Sequence, residues 1–276
     1  MNNKTAVLIQ AHKESEYIKQ LALQNSDVNF YLHFDAKSNI KVEDYSIIPN
    51  ILVLSERINV KWGGFSQVEA TLLLLKKAFE NPHNTFFHLI SGEDCVLKPF
   101  YKISKRMCIT TPEIYIDLRY SLKHRHRTRF WAIHANTVWQ RSFWGKVLTK
   151  VNVLLDKILP LPQTDRLLYS VYGSSWFSIN RLGLELLLKQ IDSNTICFFE
   201  KKLCPDEHFF QYILERFNLK QYNQYDNKRF IDLPDNQNHP RYIELDELKE
   251  LAKQDYWMAR KVKENTLLTF LRGQND

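Results

Sequence analysis

The sequence predicts an α/β fold, built as a single domain in which helices flank a mostly parallel central sheet. Two observations carry this prediction. Short apolar runs alternate with stretches of helical character along the chain, which is typical of parallel sheets covered on both faces. The 276 residues include 44% hydrophobic and 25% charged residues, values that are ordinary for a globular protein and match the size of one large domain.

The predicted strands are short apolar segments of four to six residues. The first ends in a polar residue, as a buried parallel strand does when it reaches the edge of a sheet. In chain order the predicted strands are Ala6–Gln10, Phe30–Phe34, Ile51–Leu54, Thr85–Ile90, Ile114–Asp117 and Trp176–Ile179.

Four helices are predicted from their start signals and apolar content. Ser66 and Glu69 have the spacing of a capping box, which predicts a helix over Gln67–Phe79. Pro205 predicts a helix start with Asp206 and Glu207 in its first turn. The other two predicted helices are Leu182–Gln190 and Asp246–Asn265. The character of the sequence changes over 119–150, where the basic and aromatic run at 119–131 lacks clean periodicity and is predicted to form a long loop or excursion.

The charge balance favours anionic partners. The chain has 38 basic and 31 acidic residues, a net charge of +7, which suits nucleotides, lipid head groups or acidic glycans. Nucleic-acid binding would rest on the charge of Arg119–Arg129 alone, and we do not expect it. The four cysteines follow no metal spacing, and no apolar run is long enough to cross a membrane. We therefore expect a cytoplasmic protein, with peripheral contact at the inner membrane face as an option.

Polar side chains follow three of the predicted strands. His12 comes after the first, Asp35 after the second, and the segment SGED at 91–94 after the fourth. Ligands of open α/β sheets bind outside the carboxyl ends of the strands. These residues are therefore candidates for ligand binding, although each is also an ordinary turn or N-cap residue.

A phosphate or diphosphate ligand would need cations. The sequence contains no Asp-x-Asp pair to hold a metal, and no glycine-rich phosphate loop among its 7 glycines. Arg241 and the pair Arg260–Lys261 are candidates for this task, because guanidinium and ammonium groups bind phosphate oxygens directly. Glu207 is a candidate general base, and its alternative is a first-turn helix carboxylate.

Five segments of the chain, in order, resemble the core 2/I-branching β1,6-N-acetylglucosaminyltransferases and the related peptide O-xylosyltransferases. The resemblance extends over residues 6–265. The matching segments are YLHFDAKS (31–38), NVKWGGFSQVEATLLLLKKA (59–78), FFHLISGEDCVLKP (86–99), YGSSWFSINR (172–181) and CPDEHFFQYIL (204–214).

This resemblance implies a GT-A-type fold and an inverting transfer from a UDP-sugar without a divalent metal or other cofactor. Glu207 resembles the family's catalytic base, and Asp35 the aspartate near uracil and ribose. Arg241 and Lys261 resemble the basic pair that neutralises the diphosphate. Asp94 and His12 complete the expected donor site. The nucleotide-binding half would then span about 1–118 of the domain 1–276, and the acceptor half 119–276.

The acceptor side is expected to involve four further residues: Trp62, Trp176, Arg127 and Arg129. Leu233 stands where the family tends to have tryptophan. The donor sugar is expected to be N-acetylglucosamine, with xylose as the alternative, and the acceptor an oligosaccharide or lipid-linked glycan of a surface polysaccharide. A second alternative is a relative that binds UDP or glycans but does not transfer.

Overall fold

A computed structural model describes residues 3–160, 166–234 and 239–274. The extreme ends of the predicted domain lie outside the described residues. The strands are β1 (Lys4–Ala11), β2 (Asn29–Phe34), β3 (Ile51–Val53), β4 (Asn84–Ser91), β5 (Asp94–Val96), β6 (Ile114–Tyr115), β7 (Arg119–Tyr120), β8 (Val171–Tyr172), β9 (Ser178–Asn180), β10 (Arg229–Ile231) and β11 (Met258–Arg260).

The helices flank this sheet structure. They are α1 (Glu16–Gln24), α2 (Glu43–Ser46), α3 (Phe65–Phe79), α4 (Phe100–Ser104), α5 (His126–Arg129), α6 (Phe143–Ile158), α7 (Arg166–Ser170), α8 (Arg181–Lys189), α9 (Ser193–Glu200), α10 (Phe209–Arg216), α11 (Leu245–Lys253) and α12 (Glu264–Arg272). Within the described residues no helix is both long and apolar enough to cross a membrane.

The central sheet has six strands in the order β3-β2-β1-β4-β9-β6. The first four are mutually parallel, whereas β9 runs antiparallel to both of its neighbours. The predicted mostly parallel α/β sheet is therefore confirmed. A second sheet of three strands, in the order β10-β11-β5, lies beside it, and its antiparallel pair β11–β5 joins the chain's C-terminal part to the turn after β4.

Strand β1 shows why the sheet is covered on both faces. Successive side chains of a strand point to opposite faces. Val7 and Ile9 accordingly enter one core, shared with α1, α11 and α12. Ala6 and Leu8 enter the other core, shared with α3, α8 and α10. An uninterrupted apolar run is the consequence of burial on both sides.

The predicted capping box at Ser66 is wrong. Helix α3 begins at Phe65 with Gly64 as its N-cap, and Ser66 lies inside the first turn. The Ser66 hydroxyl accepts a hydrogen bond from the Lys61 amide at 2.8 Å and contacts Asn136 Oδ1 at 2.9 Å. Its partners are therefore the preceding loop and a distant segment, which the local spacing does not show.

One further helix prediction is confirmed in part and another is wrong. Pro205 begins a helical turn that contains Asp206 and Glu207, as predicted, but this turn is a single 3-10 turn and α10 begins only at Phe209. The predicted helix Asp246–Asn265 is divided into α11 and α12 by strand β11, because the apolar segment before Arg260 pairs with β5 and β10. The predicted long loop at 119–131 is also wrong in part, since it contains β7 and α5.

Candidate active site

The carboxyl ends of β1, β2 and β4 meet at one edge of the central sheet, as parallel pairing requires. The turns that follow them are joined by backbone contacts: the Asp35 amide donates to Ala11 O at 3.0 Å, and the Gly92 amide to Gln10 O at 3.2 Å. This edge is where open α/β sheets bind ligands. The predicted candidates His12, Asp35 and Asp94 all lie along it.

A compact ion cluster occupies the centre of this edge. Glu93 accepts hydrogen bonds from Lys13 Nζ at 3.0 Å and Lys261 Nζ at 2.8 Å. The Tyr242 hydroxyl contacts the same carboxylate at 3.4 Å. Burial alone would raise the pKa of Glu93, but the hydrogen bonds and charges of Lys261 and Lys13 outweigh it and lower the pKa to about 2. Two ammonium groups share one carboxylate, so the cluster has an excess positive charge.

Glu93→Gln is expected to destabilise the fold in a pH-dependent way. The pKa of Glu93 lies near 2 in the folded protein against 4.5 as its ordinary value. Its ionic contribution, about 3 kcal/mol, is therefore present above pH 4.5 and is lost as pH falls towards 2. Urea unfolding of wild type and variant across this range measures the free-energy difference.

A matched control for this prediction is Glu250→Gln. Glu250 forms an exposed pair with Lys253 on α11, and such pairs contribute little. A difference between wild type and Glu93→Gln that stays constant from neutral pH to pH 2 would contradict the ionic account.

Asp94 is buried and fully engaged. It accepts from the Ser91 amide at 2.6 Å and the Ser91 hydroxyl at 3.0 Å, and it pairs with Arg260 Nη1 at 3.1 Å. The Arg260 guanidinium lies over the Trp176 ring, 4.4 Å from its centroid. Asp94 thus fixes the turn after β4 and positions Arg260 and Trp176. Direct contact between Asp94 and a donor stays a prediction.

Asp35 lies in a turn that is held from several directions. Its carboxylate accepts from the Lys37 amide at 3.0 Å, and Arg57 Nη2 donates to the carbonyl of Asp35 at 2.6 Å. The Ser38 hydroxyl donates to His12 O at 2.7 Å, which brings the two turns together. This arrangement holds the turn that carries Asp35 against the segment of the exposed His12 at the sheet edge.

Glu207 ends the 3-10 turn Pro205–Glu207. Arg127 Nη1 of α5 pairs with Glu207 Oε2 at 2.5 Å, and among the described residues no group hydrogen-bonds to Oε1. The Gly173 amide donates to Glu207 O at 2.9 Å. One carboxylate oxygen is therefore oriented by a cation, and the other is available to a ligand.

The turn before Glu207 is strained. Cys204 adopts a left-handed conformation with φ of 47°, which costs a non-glycine residue about 1–2 kcal/mol. Its amide donates to Gly63 O at 3.1 Å, so contacts with the loop before α3 hold the turn in place. Such strain is common where side chains are positioned for function.

Asp206 lies next to Glu207 and has a different environment. Ser175 Oγ donates to Asp206 Oδ2 at 2.9 Å, whereas Asp206 Oδ1 is buried without a partner. Burial, followed by the negative charge of Glu207, raises the pKa of Asp206 to about 7. Asp206 is therefore partly protonated near neutral pH. Ser175 and Trp176 are consecutive, so this segment links the Glu207 turn to Arg260.

Arg241 is held by two carboxylates. Its guanidinium contacts Asp232 Oδ2 at 2.5 Å and both oxygens of Glu247 at 2.6 and 2.8 Å. Hydrogen bonds to Glu247 and Asp232 raise its pKa above the ordinary range. The Ile243 amide donates to Lys261 O at 2.8 Å, which places the two basic segments side by side. A phosphate at Arg241 would compete with two anions, whereas at Lys261 it would compete with one.

The remaining predicted residues lie in other surroundings. Trp62 is exposed and stacks under Arg141, whose guanidinium lies 3.9 Å from the ring centroid. Arg129 pairs with Asp156 at 3.2 Å and donates to Pro160 O at 2.6 Å, so these contacts are with α6 and the residues just after it, and not with Glu207. Leu233 is exposed. Their roles on an acceptor side stay predictions.

Two residues of the ion cluster were not singled out from the sequence. Lys13 is adjacent to the predicted His12, and Glu93 is adjacent to the predicted Asp94, so both lie in segments that already contain a predicted residue. The contact of Glu93 with Lys261 depends on the pairing of β11 with β5, which brings Lys261 to the turn after β4. Among residues 3–160, 166–234 and 239–274, no three or more His, Cys, Asp or Glu side chains are grouped to hold a metal ion.

The sheet order and the flanking helices define a GT-A-type α/β domain, the class of fold found in many glycosyltransferases. A model of the Core-2/I-Branching enzyme family matches residues 8–255 of the 276, and the chain belongs to this family. The predicted family membership is confirmed, and the family is one of glycosyltransferases. Comparison with curated proteins gave no significant match.

Proposed function

We propose that this protein is an inverting glycosyltransferase that moves a sugar from a UDP donor to a glycan hydroxyl without a divalent metal. The observation that carries the proposal is the presence of two features that are linked through the segment Ser175–Trp176 and Arg260. One is the half-exposed Glu207 carboxylate, oriented by Arg127. The other is the cationic cluster of Lys13 and Lys261 around Glu93.

Glu207 would act as the general base. A sugar hydroxyl is a weak nucleophile, and a carboxylate that removes its proton during attack accelerates such reactions. The proton passes from the acceptor hydroxyl to Glu207 as the new bond to the anomeric carbon forms and the bond to the UDP oxygen breaks. Attack from the face opposite UDP inverts the anomeric configuration through an oxocarbenium-like transition state.

Lys13, Lys261 and Arg241 would stabilise the departing UDP. Negative charge develops on the diphosphate as the bond breaks, and fixed cations stabilise it. Lys261 and Lys13 support this role best because, within the part of the chain that the structure describes, they share the single carboxylate of Glu93. Arg241 would have to exchange Asp232 or Glu247 for phosphate oxygens.

The finer assignments are part of the same proposal. We infer N-acetylglucosamine as the donor sugar, with xylose as the alternative, and a role in polysaccharide biosynthesis. Acceptors would be oligosaccharides or lipid-linked glycans. A cytoplasmic location is supported by the four cysteines, which form no disulfide, as is usual in reducing compartments.

A second candidate function is binding without transfer. The exposed Leu233 favours it, because the family tends to place a tryptophan there against a sugar. Release of UDP from donor sugars distinguishes the two functions, since a binding protein retains affinity for UDP but releases none from a UDP-sugar.

Titration calorimetry with UDP in the presence of EDTA tests the donor site. We expect Lys261→Ala and Lys13→Ala each to weaken UDP binding by about tenfold or more, the effect of removing one charge-assisted contact. Lys189→Ala, which removes an exposed lysine from α8, is the matched control and should bind like wild type. Equal affinities in all four proteins would place the diphosphate elsewhere.

A further inference from the structure

Helix α6 has its polarity reversed relative to an ordinary surface helix. Such a helix turns its apolar stripe towards the core and its polar residues towards water. In α6 the buried residues are Gly145, Asn152 and Asp156. No residue of α6 belongs to the hydrophobic cores of the described structure.

The buried side of α6 is held by polar contacts. Asp156 accepts from Arg125 Nε at 2.6 Å and from Arg129 Nη1 at 3.2 Å. On the same side His134 Nε2 and Thr149 Oγ1 lie 2.9 Å apart. Ion pairs thus attach α6 to Arg125 and to Arg129 of α5, and a hydrogen bond attaches it to His134 in the segment between α5 and α6. This attachment leaves its apolar residues on the outside.

The outer face is a continuous apolar stripe. Its residues recur at spacings of three and four, which places them on one side of a helix. Phe143 is 72% exposed, Trp144 68% and Ile158 67%, large values for side chains of this size. The stripe consists of Phe143, Trp144, Val147, Val151, Leu154, Leu155 and Ile158.

One flank of this stripe is basic. Lys146, Lys150 and Lys157 are spaced by four and seven residues and are all exposed, so they lie along one edge of the apolar stripe. The only acidic residue of α6 is Asp156, which is buried and neutralised by two arginines. The exposed surface of the helix is therefore apolar and cationic, without a free negative charge.

We propose that α6 docks the protein on an anionic lipid bilayer, lying in the plane of the interface. Interfacial helices combine an apolar face that enters the headgroup and acyl boundary with lysines that meet anionic head groups. Aromatic residues such as Phe143 and Trp144 suit this boundary. The helix is about 24 Å long and has one face attached to the protein, so it lies on the membrane.

The docked helix is close to the proposed base. α5 contacts α6 through Arg129 and contacts Glu207 through Arg127. Because α5 packs on the buried side of α6, opposite the apolar stripe, docking would keep Glu207 behind α6 and near the membrane that holds the acceptors. This last step rests on the proposed function, whereas docking itself does not.

Flotation with vesicles tests the docking. Wild type should float with vesicles of equal phosphatidylglycerol and phosphatidylcholine, and much less with pure phosphatidylcholine. Leu154→Glu/Ile158→Glu should weaken binding by about tenfold or more, because it places two charges in the apolar stripe. The matched control is Leu23→Glu/Ile47→Glu, which makes the same changes at exposed positions of α1 and after α2, and it should float like wild type.

Three results would overturn the docking. The first is absence of wild type from the phosphatidylglycerol vesicles, and the second is equal flotation of both double variants. The third is a dimer in solution that Leu154→Glu/Ile158→Glu dissociates, because the stripe would then cover a second copy. Thermal unfolding and UDP titration of each variant show that it is folded, and they keep failure of docking separate from failure of the transferase proposal.

Discussion

Glu207→Gln is expected to lower kcat for sugar transfer by about 10²–10⁴-fold while leaving UDP affinity unchanged, the range found for removal of a general base. Glutamine preserves the size of the side chain and a hydrogen-bond acceptor for Arg127, but it cannot take a proton. UDP affinity should persist because the cationic cluster of Lys13 and Lys261 makes no contact with Glu207. Steady-state transfer kinetics and calorimetry measure the two effects separately.

Asp206→Asn is the matched control for this prediction. It changes the neighbouring carboxyl group in the same way, but the pKa of Asp206 is already raised to about 7 by burial and by Glu207. Asparagine therefore resembles the form that Asp206 adopts for part of the time at neutral pH, and we expect a smaller loss of kcat. A larger loss in Asp206→Asn than in Glu207→Gln would transfer the role of base to Asp206.

Gly173→Ala is expected to destabilise the fold by about 3 kcal/mol or more, at the upper end of overpacking effects. A Cβ atom at this position would lie 1.8 Å from the carbonyl oxygen of Asp117, so the backbone has to move. The Gly173 amide also donates to Glu207 O, and displacement of this segment should lower kcat as well. Urea unfolding and transfer kinetics measure both consequences.

Gly273→Ala is the control for backbone substitution. A Cβ atom there would lie 3.7 Å from Thr269 O, an ordinary contact, and Gly273 has a right-handed helical conformation. Its stability should stay within about 1 kcal/mol of wild type. If Gly173→Ala were as stable as Gly273→Ala, the tight packing of residue 173 against Asp117 would be wrong.

The strands were predictable because a strand that is buried on both faces appears in the sequence as an uninterrupted apolar run. The run that begins at Ala6 is an example, and β1 extends the predicted strand Ala6–Gln10 at both ends. The direction of β9 was not predictable, since an apolar segment carries no sign of whether its neighbours are parallel. Strand β11 was missed because the charged residues on both sides of it favour helix locally, whereas its pairing partners are remote in the chain.

Residues of the candidate site that belong to a recognisable motif could be proposed from the sequence. Residues that are defined only by a tertiary contact could not. Glu207 and Lys261 followed from segments that resemble the family. Lys13 and Glu93 emerge only when β5 and β11 pair and bring Lys261 to the turn after β4. The exposed stripe of α6 is a similar case, because periodicity defines an apolar side but does not say which side the protein covers.

The most direct test of the central claim is release of UDP from a panel of UDP-sugars in excess EDTA, with and without glycan acceptors. The account predicts that wild type releases UDP from at least one donor, that EDTA does not abolish the release, and that Glu207→Gln loses most of it. Release that requires an added divalent cation, or binding of UDP without release from any donor, would contradict it.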